Sequence, residues 1–268
     1  MNSAPEFLNL FVEPTGELIY FLAVFAISQA TMLMALGQRL RGPSETAAGR
    51  YVVLLTGVVL AWIAMGAGGL VALITDTPDN AILPPLERAV CVLVILFAGA
   101  GLLAADSPKS ERRTWRIVGA LSLAIVVAYL YTAVRWHSLA ADHTFNHHAL
   151  GFAWTFVPGL LLIGLAMLLV TRYKDTADIP LKLVFFAVLL IGYSYTAARM
   201  SSNDLAGHTS GALRLAFLTA MPVLTIIIYR LVIDRLSTAI DEVSEYAEAV
   251  SKPQPAIQAP SPQPPPAR

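Results

Sequence analysis

The chain has 268 residues, 56% of them hydrophobic and only 13% charged, with a formal net charge of zero. So few charges exclude an ordinary soluble domain, and the even balance excludes nucleic acid as a principal partner. The single cysteine, Cys91, excludes an internal disulfide, a CxxC redox pair and a Cys/His zinc finger.

Glu6, Glu13 and Glu17 precede the first apolar run, where a cleaved signal peptide would carry basic residues and a small-residue cleavage site. That run is therefore expected to be retained. Seven apolar segments can be drawn, at 17–39, 51–75, 86–105, 115–135, 149–171, 179–198 and 212–233. A helix rises about 1.5 Å per residue, so a crossing of about 30 Å of hydrocarbon needs segments of this length. The expected fold class is all-α: a polytopic membrane bundle of seven transmembrane helices over 1–233, with a cytoplasmic helical extension. The connections are short and leave no room for a soluble domain between spans.

Basic residues orient the bundle. Twelve lysines and arginines, among them Arg39, Arg50, Arg112, Arg113, Arg116 and Lys182, fall on one side, against Arg88, Arg135, Arg199 and Arg214 on the other. The positive-inside rule then places the N-terminus outside and the C-terminus in the cytoplasm. Gly57, Gly66, Gly68, Gly69, Gly99, Gly101, Gly159 and Gly164 are expected to let helices approach closely, and Pro158 and Pro222 to kink the fifth and seventh spans.

Beyond the seventh span, DRLSTAIDEVSEYAEAV carries no Gly or Pro to stop a helix. Leu236, Ile240, Val243, Ala247 and Val250 recur at alternating spacings of four and three, the seam of a two-stranded coiled coil. The expectation is one rod over 212–250 that leaves the membrane, with 234–250 pairing as a homodimer in water. Residues 251–268, SKPQPAIQAPSPQPPPAR, read as a disordered, Pro-rich tail.

Catalytic signatures fail on inventory. There is no HExxH, GxGxxG, Walker loop or GxSxG, and no pair of carboxylates is evident at membrane depth. None of Lys109, Lys174, Lys182 and Lys252 lies mid-span in the seventh helix, so a retinal Schiff base has no place to form. No histidine lies in a span centre, which removes bis-histidine haem. No enzymatic activity, catalytic residue or cofactor is expected.

Two clusters are candidates for binding. His143, His147 and His148 lie in DHTFNHH between spans four and five, and His208 lies between spans six and seven. If the run is helical, His143 and His147 share a face and suit a divalent metal or a pH sensor; otherwise they are solvated loop residues. The second cluster gathers in the outer half of the bundle: Glu87, Arg88, Tyr129, Tyr131, Arg135, Trp154, Tyr193, Tyr195, Arg199 and Arg214, with Glu17 and Tyr20 nearby. It reads either as an aromatic belt with snorkelling arginines or as a small-molecule site with aromatic walls. Convergence of Arg135, Arg199 and Arg214 would favour an anionic ligand.

The seven-span layout, the LPPLERAV segment opening span three and the seventh helix running into a heptad resemble the seven-transmembrane sensor region at the N-terminus of bacterial histidine kinases and related receptors. The likeness covers residues 1 to about 250. It implies a sensor in the bacterial plasma (inner) membrane that relays an external or membrane signal through the seventh helix, as in two-component systems. No kinase, GAF, PAS or cyclase segment follows in this sequence. The output is therefore expected from a cytoplasmic signalling partner, or from a longer protein of which this is the sensor portion. A small-solute transporter or channel, which needs polar groups along a whole path, and a membrane anchor or scaffold subunit are the alternatives.

Overall fold

A computed structural model describes residues 8, 10–41, 46–103, 108–173, 179–201 and 209–230. All seven apolar segments are α-helices: α1 (Pro14–Arg41), α2 (Thr46–Ile74), α3 (Asp79–Leu103), α4 (Pro108–His137), α5 (Ala149–Tyr173) and α6 (Ile179–Ser201), then α7 (Gly211–Arg230). No strand occurs among the described residues. Each helix is long and apolar enough to cross a membrane. In lipid no water serves the backbone, so only a fully hydrogen-bonded helix or a closed barrel can span, and this sequence takes the helix. The chain is thus an all-α, seven-helix polytopic membrane bundle. The extension at 234–250, with Leu236, Ile240, Val243, Ala247 and Val250, lies outside the described residues, as do the tail at 251–268 and His208.

Helix α3 is the hub. It packs against α2, α4 and α5, and it shares one core with Tyr20 and Val24 of α1, Phe185 and Leu189 of α6, and Leu213 and Phe217 of α7. Buried residues run unbroken along it from Pro84 to Val92, so no face of that stretch is left to lipid. The outer surface of the bundle is apolar in turn, with Leu22, Leu60, Leu123, Leu160, Ile191 and Ile226 exposed. That is the surface a bilayer covers.

Helix α3 begins at Asp79, ahead of the apolar run that opens at Leu86, and contains Pro84 and Pro85. A proline inside a helix leaves the carbonyl four residues earlier without its N–H. For Pro84 that carbonyl belongs to Asn80, and the Trp136 indole Nε1–H donates to it at 2.7 Å. The Asn80 amide in turn donates to the Ala140 carbonyl at 3.1 Å. The end of α4 thus completes the start of α3.

Small residues set three of the helix contacts. A Cβ on Gly57 would lie 2.9 Å from the Phe97 ring, one on Gly99 2.8 Å from Leu165, and one on Gly192 2.6 Å from the Ala216 methyl. These glycines let α2 meet α3, α3 meet α5, and α6 meet α7. Gly159 and Gly164 do not act this way, since a Cβ there would have no atom within 4 Å. Pro158 lies inside the continuous α5. Hydroxyls add cross-links: Thr31 of α1 bonds Thr225 of α7 at 2.7 Å, and the Trp154 indole of α5 donates to Thr132 of α4 at 3.0 Å.

Candidate functional site

Ser210 caps α7. Its hydroxyl accepts the Leu213 backbone N–H at 3.1 Å and bonds the Thr196 hydroxyl of α6, so the first turn of α7 is held where a serine N-cap would place it. Arg214 leaves that turn and is only 1% exposed. Its Nε donates to Glu87 Oε1 at 3.0 Å and its Nη2 to Glu87 Oε2 at 3.1 Å, a two-pronged grip matched to carboxylate geometry. Nη2 also reaches Glu17 Oε1 at 2.9 Å, and Nη1 reaches the Phe11 carbonyl at 2.6 Å. The guanidinium carbon lies 5.8 Å from the centre of the Tyr20 ring, and the Thr209 hydroxyl donates to Glu87 Oε2 at 2.7 Å.

One cation thus ties the turn before α1, α1 itself and α3 to the head of α7. Charges at this depth are costly unless paired and hydrogen-bonded, and this guanidinium meets both conditions. Two carboxylates do meet inside the bundle, although no such pair was expected from the sequence. Glu17 and Glu87 are remote in sequence, and α7 supplies the charge that joins them.

The same two carboxylates line a cavity of about 450 Å³ between α1, α2 and α3. Its walls are mostly apolar and include the Tyr20, Phe21 and Trp62 rings, with Gly66 and Gly69 leaving room and Asp79 as a third carboxylate. Asp79, Leu83 and Glu87 fall one turn apart on a single flank of α3. Leu18, Leu70 and Leu73 in its lining are 57%, 55% and 74% exposed, and Pro14 and Asp79 at the starts of α1 and α3 are exposed too, so the cavity opens to the outside of the bundle near these helix ends. Tyr20 and Trp62 are buried, and among the described residues neither the Tyr20 hydroxyl nor the Trp62 Nε1–H has a hydrogen-bond partner.

The ten residues expected to form a ligand site do not share one environment. Glu87, Arg88, Trp154, Tyr193 and Arg214 are buried. Tyr129 is half-buried, while Tyr131, Arg135 and Tyr195 are exposed. Arg88 turns to a different flank of α3 from Glu87, and its Nη2 donates to Asn146 Oδ1 at 3.3 Å. Arg199 stacks over Tyr195 at 5.8 Å. Of the three arginines considered for an anion, Arg214 is held by carboxylates and Arg135 stands exposed, so they do not share one environment.

The histidine run does not form the α-helical face that would align His143 with His147. Residues 138–142 turn, and Phe145–His147 is a short 3-10 helix. His148 caps α5 by accepting the Leu150 N–H on Nδ1 at 3.2 Å. His143 and His147 are exposed, and the His143 and His148 rings lie 6.3 Å apart. No group of three His, Cys, Asp or Glu side chains suited to a metal occurs among the described residues.

Sequence reasoning did not single out Trp62, Asp79, Asn146 or Thr209. Asp79 was visible in principle: a helix begun there instead of at Leu86 puts it in line with Glu87. Trp62, in an aliphatic run, and Thr209, beside the Ser210 cap, carry no local signal of their partners. Comparison of the chain with protein-family models, curated proteins and solved structures found no match.

Proposed function

We propose that this chain is a non-enzymatic membrane sensor that passes an external or membrane signal through α7 to a cytoplasmic partner. The observation that carries the reading is the position of Arg214: it opens α7, and both carboxylates that hold it line the cavity. A ligand shifts a conformational balance only through unequal affinity for two states. An occupant of the cavity that draws on Glu17 or Glu87 competes with Arg214 for the same oxygens. It therefore favours a state in which the head of α7 is less tightly held, and α7 moves as a helix in rotation or piston.

In this reading the N-terminus faces outside, by the positive-inside rule, and the C-terminus faces the cytoplasm of a bacterial cell. The heptad positions from Leu236 to Val250 then receive the motion and pair two copies. The resemblance to histidine-kinase sensor regions supports this assignment.

The test uses two spin labels, at the exposed positions Leu40→Cys on α1 and Arg230→Cys on α7, with the protein in nanodiscs. The buried native Cys91 is shielded from labelling. Arg214→Gln is expected to add a second population to the label-to-label distance distribution. A distribution identical to that of the parent would overturn the relay. Solute flux in proteoliposomes at transporter rates would overturn the receptor reading in favour of transport.

A further inference from the structure

We infer that the groove between α3, α4 and α5 holds one acyl chain of an anionic phospholipid whose phosphate rests on Arg113. The inference goes beyond the sensor reading and does not depend on it. The groove follows from how three helices meet. Helices α4 and α5 each pack along α3 but scarcely on each other. Near the end of α4 the Trp154–Thr132 hydrogen bond draws them together. Toward its start they leave a cavity of about 360 Å³. The floor is buried, at Leu96 and Ala100 of α3 and Val118 of α4. The edges are not: Ile117 and Leu121 on α4 are 48% and 41% exposed, and Leu168 on α5 is 38% exposed. The gap between α4 and α5 therefore faces lipid.

Length identifies the occupant as a lipid chain. The lining runs from Leu103 back to Leu96 on α3, from Arg113 on to Leu121 on α4, and from Leu168 back to Leu161 on α5. At about 1.5 Å per residue, each of these stretches covers about 10–12 Å. A bilayer has about 30 Å of hydrocarbon, so one leaflet supplies about 15 Å. Three apolar stripes of matched length thus suit a chain reaching in from one leaflet.

Charge identifies the headgroup. Arg113 stands at one end of the groove, and no carboxylate appears among its described lining residues. Arg112 and Arg116 lie within one turn of it, and all three arginines are exposed. The segment KSERRTWR carries four basic residues against one acidic. A guanidinium grips phosphate oxygens in pairs, and basic pockets between spans recognise anionic headgroups. A zwitterionic headgroup would bring a cation of its own to three arginines. A headgroup with net negative charge, such as phosphatidylglycerol, brings none.

The test places the full chain in nanodiscs of equimolar phosphatidylglycerol and phosphatidylcholine with identical acyl chains. A photoreactive benzophenone residue replaces Leu121 in the groove or, as a control, Leu123, which is 65% exposed and outside the lining. At position 121 the lipid adduct is expected to favour phosphatidylglycerol by at least about tenfold. At position 123 the two lipids should react in proportion to their abundance. Arg113→Gln is expected to cut the preference at 121 by about fivefold. The same variant should leave the reaction at 123 unchanged, which reports that the bundle is intact. Arg135→Gln, exposed near the other end of α4, should change neither. Equal labelling of the two lipids at 121 would overturn the assignment, as would a preference that survives Arg113→Gln or falls equally in Arg135→Gln. A chain-to-chain adduct at 121 would overturn it too, by seating a second copy in the groove.

Discussion

Helices α3 and α4 are neighbours of nearly equal apolarity, yet they live in different solvents. Over their most apolar stretches the mean hydropathy is 2.1 for α3 and 2.2 for α4, but 83% of the first is buried in protein and 11% of the second. In water such sequences would both be driven inward. In a bilayer they are not, because lipid tails are as apolar as leucine and burial of hydrocarbon carries no drive. What separates them is polarity and size. Helix α3 bears Glu87 and Arg88 within its span and uses Gly99 to admit α5. The charges of α4 gather near its ends, at Arg112, Arg113, Arg116 and Arg135, where the interface can solvate them. A helix that must satisfy charges at depth collects neighbours around itself, and one that need not can remain against lipid.

The largest test of this contrast is on the charges. Glu87→Leu strands Arg214 with one carboxylate where it had two, and is expected to cost about 3 kcal/mol or more of stability, read by reversible unfolding in mixed micelles. Arg116→Leu, on exposed α4, is expected to stay within about 0.5 kcal/mol. A cost for Glu87→Leu no larger than that of Arg116→Leu would break the explanation.

Core packing should come next. Ile95 of α3 is 0% exposed and Val134 of α4 is 74% exposed. Ile95→Ala is expected to lose about 2–4 kcal/mol through lost contacts and the void left behind. Val134→Ala should lose about 0.5 kcal/mol or less in the same unfolding assay, since lipid fills the space.

The smallest effect concerns the glycines. Gly57→Ala presses a methyl against Phe97 and is expected to cost about 1 kcal/mol. Gly119→Ala on α4 meets no atom within 4 Å, so its better helix propensity should leave stability unchanged or raise it by up to about 1 kcal/mol. Opposite signs for the two substitutions would sharpen the distinction between a helix in protein and a helix in lipid. Equal signs would blur it.

Much of the fold was legible because the hydrocarbon thickness imposes a length that any reader of hydropathy can count. The seven spans, their order and their all-helical class follow from that, and the described boundaries of α2 and α5 fall within a few residues of those drawn from the sequence. Helices α3 and α4 both begin seven residues ahead of the segments drawn for them. For α3 the apolar run was drawn from Leu86, whereas the helix already runs from Asp79 through both prolines, and the Trp136 indole, fifty-six residues from Asn80, serves the carbonyl that Pro84 leaves open. The candidate site was half legible. Glu87, Arg88 and Arg214 announced themselves as charges inside apolar runs, while Trp62 and Thr209 looked ordinary until their neighbours were known.

Seven helical crossings of a membrane can be read from the residues alone, since backbone polarity and bilayer thickness leave no other solution for segments so apolar. Which helix stands at the centre, and that Arg214 closes on Glu17 and Glu87 beside a cavity, emerges only from the packed bundle. Lipid does not discriminate between one apolar face and another. The arrangement is therefore chosen by a few pairings of charge, hydroxyl and small residue between helices far apart in the chain.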